Sequence, residues 1–289
     1  MADYLAITRP RISFLVLFTV GTGVFYAALP NVSLWLLFHA VLGTALVASG
    51  ASALNQWMER DTDARMYRTR IRPIPTGRMS AVEAFVFGFL LAFIGAMYLI
   101  CTMSGPLPAL LAALTFASYI AVYTPLKRVT TLNTLIGAIP GAMPPLIGYA
   151  AVRGELAAEA WVLFAILFVW QIPHFLAIAW MYREEYARAG LVMLPVVDPE
   201  GSMTARQMLL YCVVLIPTGW MPTLVGGASW VFLVGATLLG LYFLRSAIRF
   251  TKVRGDYQAR QVLRASLLYL PLVLILIVVD RWLFAFVVP

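Results

Sequence analysis

Nine long apolar runs dominate this chain, at about residues 12–29, 34–57, 82–103, 107–123, 132–152, 160–181, 208–225, 230–248 and 265–286. A helix needs about 20 mostly apolar residues to cross the hydrocarbon core of a bilayer, and each run is close to that length. Lipid offers no partners to the backbone, so only helices and closed barrels can span it. The two-residue alternation of barrel strands is absent. The runs therefore predict an all-α polytopic membrane protein with nine transmembrane helices in a single domain, 1–289. Composition agrees, with 62% hydrophobic and 12% charged residues among 289. Such a balance excludes a disordered chain, a disulfide scaffold and a conventional cytosolic enzyme. Cys101 and Cys212 both fall inside apolar runs, which argues against a disulfide framework or a zinc site.

The basic residues set the orientation. Arg9 and Arg11 precede the first run, and Arg60, Arg65, Arg68, Arg70, Arg72 and Arg78 lie between the second and third. Lys127 and Arg128 follow the fourth, Arg183, Arg188 and Arg206 the sixth, and six more arginines and lysines the eighth. All fall on one side if nine helices alternate, while the other side holds only Arg153 and Arg281. By the positive-inside rule the N-terminus is cytoplasmic and the C-terminus outside. A net charge of +8 is then loop bias rather than a nucleic-acid footprint, and no nucleic-acid partner is expected. The first run, starting near residue 12 and followed by eight more, is expected to stay as a helix instead of being cleaved. The lack of an Arg- and Ser-rich presequence favours a bacterial plasma membrane.

Three of the thirteen acidic residues crowd the cytoplasmic end of the second run, in Asn55-Gln-Trp-Met-Glu59-Arg-Asp61-Thr-Asp63. On a continuing helix Asn55, Glu59 and Asp63 share one face, four residues apart. A carboxamide and two carboxylates aimed together offer the hard oxygens that Mg²⁺ takes. Asp61 joins them only if the helix breaks. Arg65, Arg68, Arg70 and Arg72 follow at once, and a diphosphate ester suits both halves of the cluster: Mg²⁺ bridges carboxylate to phosphate, and guanidinium forks take the remaining oxygens. A solvated loop whose acids merely pair with arginine is the competing reading. Two other loops on this side, Lys127-Arg128 and Arg183-Glu184-Glu185-Tyr186, are also rich in functional groups.

Inside the helices, Pro140, Pro144, Pro145, Pro173, Pro217 and Pro271 free backbone carbonyls that protein or an aqueous central cavity must satisfy. Gly137 and Gly141, with Gly148 beyond, suggest close helix packing. His39 and His174 are the only histidines. His39 reads as a residue that bonds a neighbouring helix, whereas His174, within Trp170-Gln-Ile-Pro-His174-Phe175, reads as a pocket wall. Tyr119, Tyr123, Trp57 and Trp180 are either interfacial aromatics or faces that stabilise a developing carbocation.

These residues resemble the UbiA superfamily of intramembrane prenyltransferases, and within it the branch that farnesylates haem. The resemblance rests on Thr8-Arg-Pro-Arg11-Ile12, on Asn55 to Asp63 with Arg72-Pro73 and Gly77, and on Tyr123-Thr-Pro-Leu-Lys127-Arg128 with Thr131 and Asn133. It extends through Gly137 to Gly148, Trp170 to Phe175, and Glu185-Tyr186 to Leu194-Pro195-Val196-Val197, and thins after about residue 205. The second Asp-x-x-x-Asp motif usual in the superfamily is replaced here by Arg183-Glu184-Glu185-Tyr186, as in the haem branch, so a second Mg²⁺ held in the superfamily's manner is not implied.

The resemblance implies that farnesyl diphosphate lies with its chain in the cavity and its diphosphate at the cytoplasmic mouth. The allylic cation is then attacked by a vinyl group of haem B, and water captures the product cation. Mg²⁺ is the implied cofactor. Asn55, Glu59 and Asp63, with Asp61 as an extra ligand, would hold it; these three with Arg72 and Lys127 form the catalytic set. Arg11, Arg68, Arg72, Lys127 and Arg128 would bind the diphosphate or haem propionates. His174, Trp170, Glu185 and Tyr186 would contact the haem, with His174 a candidate axial ligand. Farnesyl diphosphate, haem B and membrane lipid are the expected partners, and a haem A-forming enzyme or terminal oxidase assembly the expected recipient of the product. A prenyltransferase for another aromatic acceptor is one rival. A transporter of an anionic lipid or porphyrin is another, disfavoured because no Asp or Glu is expected deep in a helix.

Overall fold

A computed structural model describes the backbone of residues 1–287, and the side chains of these except 11, 12 and 284–287. The elements run α1 (Ala2–Ile7), α2 (Pro10–Ala28), α3 (Leu34–Met58), α4 (Arg60–Ala64), α5 (Ala81–Thr102) and α6 (Leu107–Ala117). A π-helical stretch, Ser118–Tyr123, leads into α7 (Thr124–Leu126). Then follow α8 (Asn133–Ala142), α9 (Pro144–Arg153), α10 (Ala158–Met181), α11 (Arg183–Arg188), α12 (Leu194–Val197), α13 (Ser202–Leu224), α14 (Trp230–Lys252) and α15 (Asp256–Val287). No strand occurs among the described residues. Among the described residues, eight helical segments are long and apolar enough to cross a membrane, with α6–α7 and α8–α9 each counted as one. The first expected crossing, α2, has the shorter apolar stretch Ser13–Ala28.

Local chemistry sets the ends and breaks. Ser33, Ser80 and Ser229 cap α3, α5 and α14 through their hydroxyls, and Ser80 forms a reciprocal capping box with Glu83. The wide turn of the fourth span comes just before Pro125, whose ring crowds the carbonyl four residues back and whose nitrogen cannot bond it. Pro144 and Pro145 withhold the same bonds from residues 140 and 141, and the fifth span divides at Met143.

Glycines let backbones meet, at Gly148 as expected but not at Gly137 and Gly141. A Cβ on Gly148 would strike the Val20 carbonyl, and one on Gly23 the Pro145 carbonyl; this pair brings α2 onto α9. Gly137 and Gly141 instead make room for the Tyr123 ring and the Gln171 carboxamide. The α10 span is the most enclosed, packed against α8, α9, α13 and α15. One expectation is corrected: Asp280 lies within α15 and is buried, accepting hydrogen bonds from the Ser229 backbone N–H (2.7 Å) and hydroxyl. It fixes the start of α14, a structural role.

Candidate active site at the arginine-rich end

Alternation of the spans puts the α3–α5, α7–α8 and α10–α13 connections at one end of the bundle, and hydrogen bonds join them. The Glu185 carboxylate accepts the Arg68 backbone N–H (3.2 Å), and Val192 N–H donates to the Lys127 carbonyl (2.7 Å). Asn133 Nδ2 donates to the Val192 carbonyl (2.8 Å). Beneath them Met66, Ala179, Ala189, Leu191 and Met193 form a small apolar core. On the other flank the Gln56 carboxamide donates to the Ile7 carbonyl (2.6 Å), tying α1 to α3. The connections are thereby a packed roof.

Under that roof the chain brings Asn55, Glu59 and Asp63 together. Helix α3 stops at Met58 and Glu59 leaves helical geometry (φ −91°, ψ 5°). The four-residue bonds nevertheless continue, Glu59 N–H to Asn55 O at 2.9 Å and Asp63 N–H to Glu59 O at 2.7 Å. The three side chains therefore stay in register across the break. Asp61 does not join them: its side chain is 71% exposed and sits 3.9 Å from Arg60, because the break falls before it and α4 turns it outward.

Each buried acid has a basic partner. Lys127 Nζ lies 2.8 Å from Glu59 Oε1 and 4.4 Å from the centre of the Tyr123 ring. Arg72 Nη1 lies 2.5 Å from Asp63 Oδ2. Arg128 donates to Thr62 Oγ1 (2.5 Å), and Asn55 Nδ2 to Thr124 Oγ1 (3.2 Å). Burial pushes the Glu59 carboxyl up, but Lys127, by charge and hydrogen bond, and then Arg9 and Arg72 outweigh it, leaving the group below the usual carboxylate range. Lys127 is buried too, yet Tyr123 and Glu59 hold its ammonium above its ordinary value. For Asp63, burial prevails over Arg72 and the carboxyl lies above its ordinary value.

Three atoms in this cluster are buried without a partner: Asn55 Oδ1, Asp63 Oδ1 and Arg9 Nη2. An enclosed, unsatisfied polar atom costs about 1–3 kcal/mol, more where charge is involved. Two such acceptors on one face fit a divalent cation, and the donor fits an anion. No group of three His, Cys, Asp or Glu side chains forms a ready metal cage among the described residues, so the fit depends on the Asn55 carboxamide.

Arg9 is the residue that sequence reasoning missed. Its backbone is left-handed (φ 50°), the one positive-φ non-glycine residue among those described, and its charge acts on Glu59, Asp63 and Arg72. The only signal was its place before Pro10, which begins α2. Arg11 lies in α2, with its side chain outside the described residues. Arg68 turns to the roof, 4.7 Å from the centre of the Tyr182 ring and 3.5 Å from the Tyr186 hydroxyl. His174 and Trp170 lie apart from the charged cluster, inside α10, where both bond Ser266 of α15.

Comparison with known proteins adds to this geometry. Residues 16–268 match the UbiA prenyltransferase family. The Protoheme IX farnesyltransferase of Solibacter usitatus is 50% identical over 97% of this chain and 99% of its own length. That of Opitutus terrae is 45% identical over 97% and 95%. Among solved structures, a digeranylgeranylglyceryl phosphate synthase superposes with a TM-score of 0.81 at 14% identity, over 97% of this chain and 98% of that one. A UbiA homolog from Archaeoglobus fulgidus bound to DMAPP and Mg²⁺ gives 0.68 at 17% identity, over 96% and 99%. At such identities the structures speak to the fold alone.

Proposed function

Because the chain belongs to the UbiA prenyltransferase family, we propose that it is a single-domain enzyme that transfers the farnesyl group of farnesyl diphosphate to a vinyl group of haem B. The allylic C–O bond breaks and diphosphate leaves with the electron pair. The vinyl carbon bonds the farnesyl cation, and water adds to the resulting cation and loses a proton, giving haem O. The acceptor is supported by relatives named Protoheme IX farnesyltransferase that match nearly the whole chain. The observation that carries the chemistry is the buried trio of unpartnered atoms, Asn55 Oδ1, Asp63 Oδ1 and Arg9 Nη2.

Asn55, Glu59 and Asp63 would hold Mg²⁺, which when bound supplies charge neutralisation for the departing diphosphate. Arg9, Arg72, Lys127 and Arg128 take phosphate oxygens; Arg11 remains in that set on its sequence position alone. Arg72 and Lys127 exchange their carboxylate partners for the substrate, so their charges are already in place when negative charge develops on the leaving group. Arg68, Glu185 and Tyr186 close the roof and exclude water from the first cation. Trp170 and His174 line the haem pocket below. The excess of arginine and lysine supports a cytoplasmic position for this end of the bundle in a bacterial plasma membrane, with a haem A-forming enzyme or terminal oxidase assembly as the proposed recipient of the product.

The test is to supply membranes carrying the protein with farnesyl diphosphate, haem B and Mg²⁺ and to analyse extracted haems by mass spectrometry. A haem bearing a hydroxyethylfarnesyl group is expected, lost on chelation and in Asp63→Ala. Unchanged haem B from folded, inserted protein would remove haem as the acceptor.

A further inference from the structure

Two hydrogen bonds from α10 converge on one buried serine of α15. Trp170 Nε1 donates to the Ser266 carbonyl (2.8 Å), and His174 Nδ1 lies 2.7 Å from the Ser266 hydroxyl. The hydroxyl has a single proton, and it also lies 2.7 Å from the Leu263 carbonyl one turn earlier. If that proton pointed to the histidine, two oxygen lone pairs would be pressed together at 2.7 Å. The network therefore assigns the serine proton to Leu263 and makes the serine oxygen the acceptor of the His174 Nδ1–H. Nε2 is then the bare nitrogen.

The ring is held firmly in this state. Trp170 stacks on it with centroids 4.8 Å apart and planes 25° from parallel, and Phe175 meets it edge-on at 5.4 Å. His174 is nine-tenths buried, yet Nε2 has no hydrogen-bond partner among the described residues and is not sealed inside the protein. A neutral imidazole, one nitrogen oriented by a hydrogen bond and the other presenting a lone pair, is the arrangement of a metal-ligating histidine. A porphyrin iron brings four nitrogens of its own and needs only one such axial donor.

We propose that Ser266 is a positioning residue: by accepting the Nδ1–H of His174 it fixes the tautomer whose Nε2 ligates the iron of the haem substrate. This rests on haem B being the acceptor. His174 lies seven residues before the end of α10, about 10 Å along the helix from its arginine-rich end at 1.5 Å per residue. Anchoring the iron there would fix the depth and the plane of the macrocycle, so that its edge can meet the allylic cation.

The experiment titrates full-length protein in lipid nanodiscs with haem B, without prenyl diphosphate, and reads ligation by absorbance, EPR and the iron–histidine Raman band. Wild type is expected to give a histidine-ligated haem, and His174→Ala to lose that signature while retaining its unfolding temperature. The other histidine, His39, bonds the Tyr98 hydroxyl between α3 and α5 and would not replace it. Ser266→Ala should weaken haem binding and raise the KM for haem about tenfold or more, shift the iron–histidine band, and leave the KM for farnesyl diphosphate unchanged. Ser266→Thr, which keeps the hydroxyl, should restore both. A histidine-ligated spectrum surviving in His174→Ala overturns the proposal, as does an unshifted band with normal haem KM in Ser266→Ala. Wild type that makes haem O without histidine ligation overturns it and leaves the proposed reaction standing. Wild type that neither binds nor farnesylates haem removes both.

Discussion

Replacing Lys127 with methionine keeps most of the side-chain volume and leaves the Glu59 carboxylate buried without its ammonium. The two side chains are only 10% and 12% exposed and 2.8 Å apart, so solvent screens them little. Breaking such a pair by removing one partner costs about 3–5 kcal/mol. At about 2 °C per kcal/mol for a chain of this size, Lys127→Met should lower the unfolding midpoint of the detergent-solubilised protein by about 6–10 °C. Glu59→Gln with Lys127→Met removes both charges of the pair and should recover most of the loss, a coupling of at least about 2 kcal/mol. The pH dependence has a definite sign. In the wild type the depressed Glu59 carboxyl contributes stability that is present above its unfolded value of 4.5 and fades only as pH falls below it. The raised Lys127 contributes stability that is present below 10.5 and fades only as pH climbs beyond. The pair's contribution is therefore flat from about pH 5 to 10. In Lys127→Met, burial acts on Glu59 against only the smaller effects of Arg9 and Arg72 and drives its carboxyl upward, so the variant should regain stability as pH falls from 8 to 5. A deficit below about 1 kcal/mol, equal at both pH values, would mean a solvated pair of little worth and would refute the reasoning.

Arg9→Gly should relieve about 1–2 kcal/mol of left-handed strain without lowering the unfolding temperature, while raising the KM for farnesyl diphosphate at least about tenfold through loss of a charge-assisted bond. Steady-state kinetics beside a melting curve check the pair of effects. Gly137→Ala should push the Tyr123 ring off Lys127 and reduce kcat more than it alters the haem KM, read in the same assay. Asp280→Ala strips the start of α14 of its acceptor, leaving the buried Ser229 N–H unsatisfied. It should cost about 1–3 kcal/mol in thermal unfolding with little effect on product per folded molecule.

The bundle was legible because lipid imposes one rule on every span, and because arginines on one side fix the parity of the crossings. Asn55, Glu59 and Asp63 were legible because their spacing survives the break at Glu59. Asp61, expected as an extra ligand, points to solvent instead, because a sequence does not say where a helix breaks and one residue of difference turns a carboxylate from site to solvent. Arg9 and Arg11 look alike in a row of basic residues; only the left-handed kink at Arg9 separates them. Ser266 carried no signal, since a serine in an apolar run commonly bonds its own helix, and its partner sits 92 residues away in sequence.

Beneath the roof each buried acid already has a cation, Glu59 with Lys127 and Asp63 with Arg72, and in the proposed site this pairing would make binding discriminating in a thermodynamic sense. A free phosphate would find Lys127 and Arg72 engaged and only Arg9 open, and a free metal ion would find each carboxylate sharing one oxygen with a cation. Either alone must break an ion pair and strand a charge. Arriving together, anion and cation satisfy both halves at once, so each raises the affinity for the other by the same factor. The ligand selected by the proposed site would then be the ion pair itself, ahead of the more abundant simple ions of the cell.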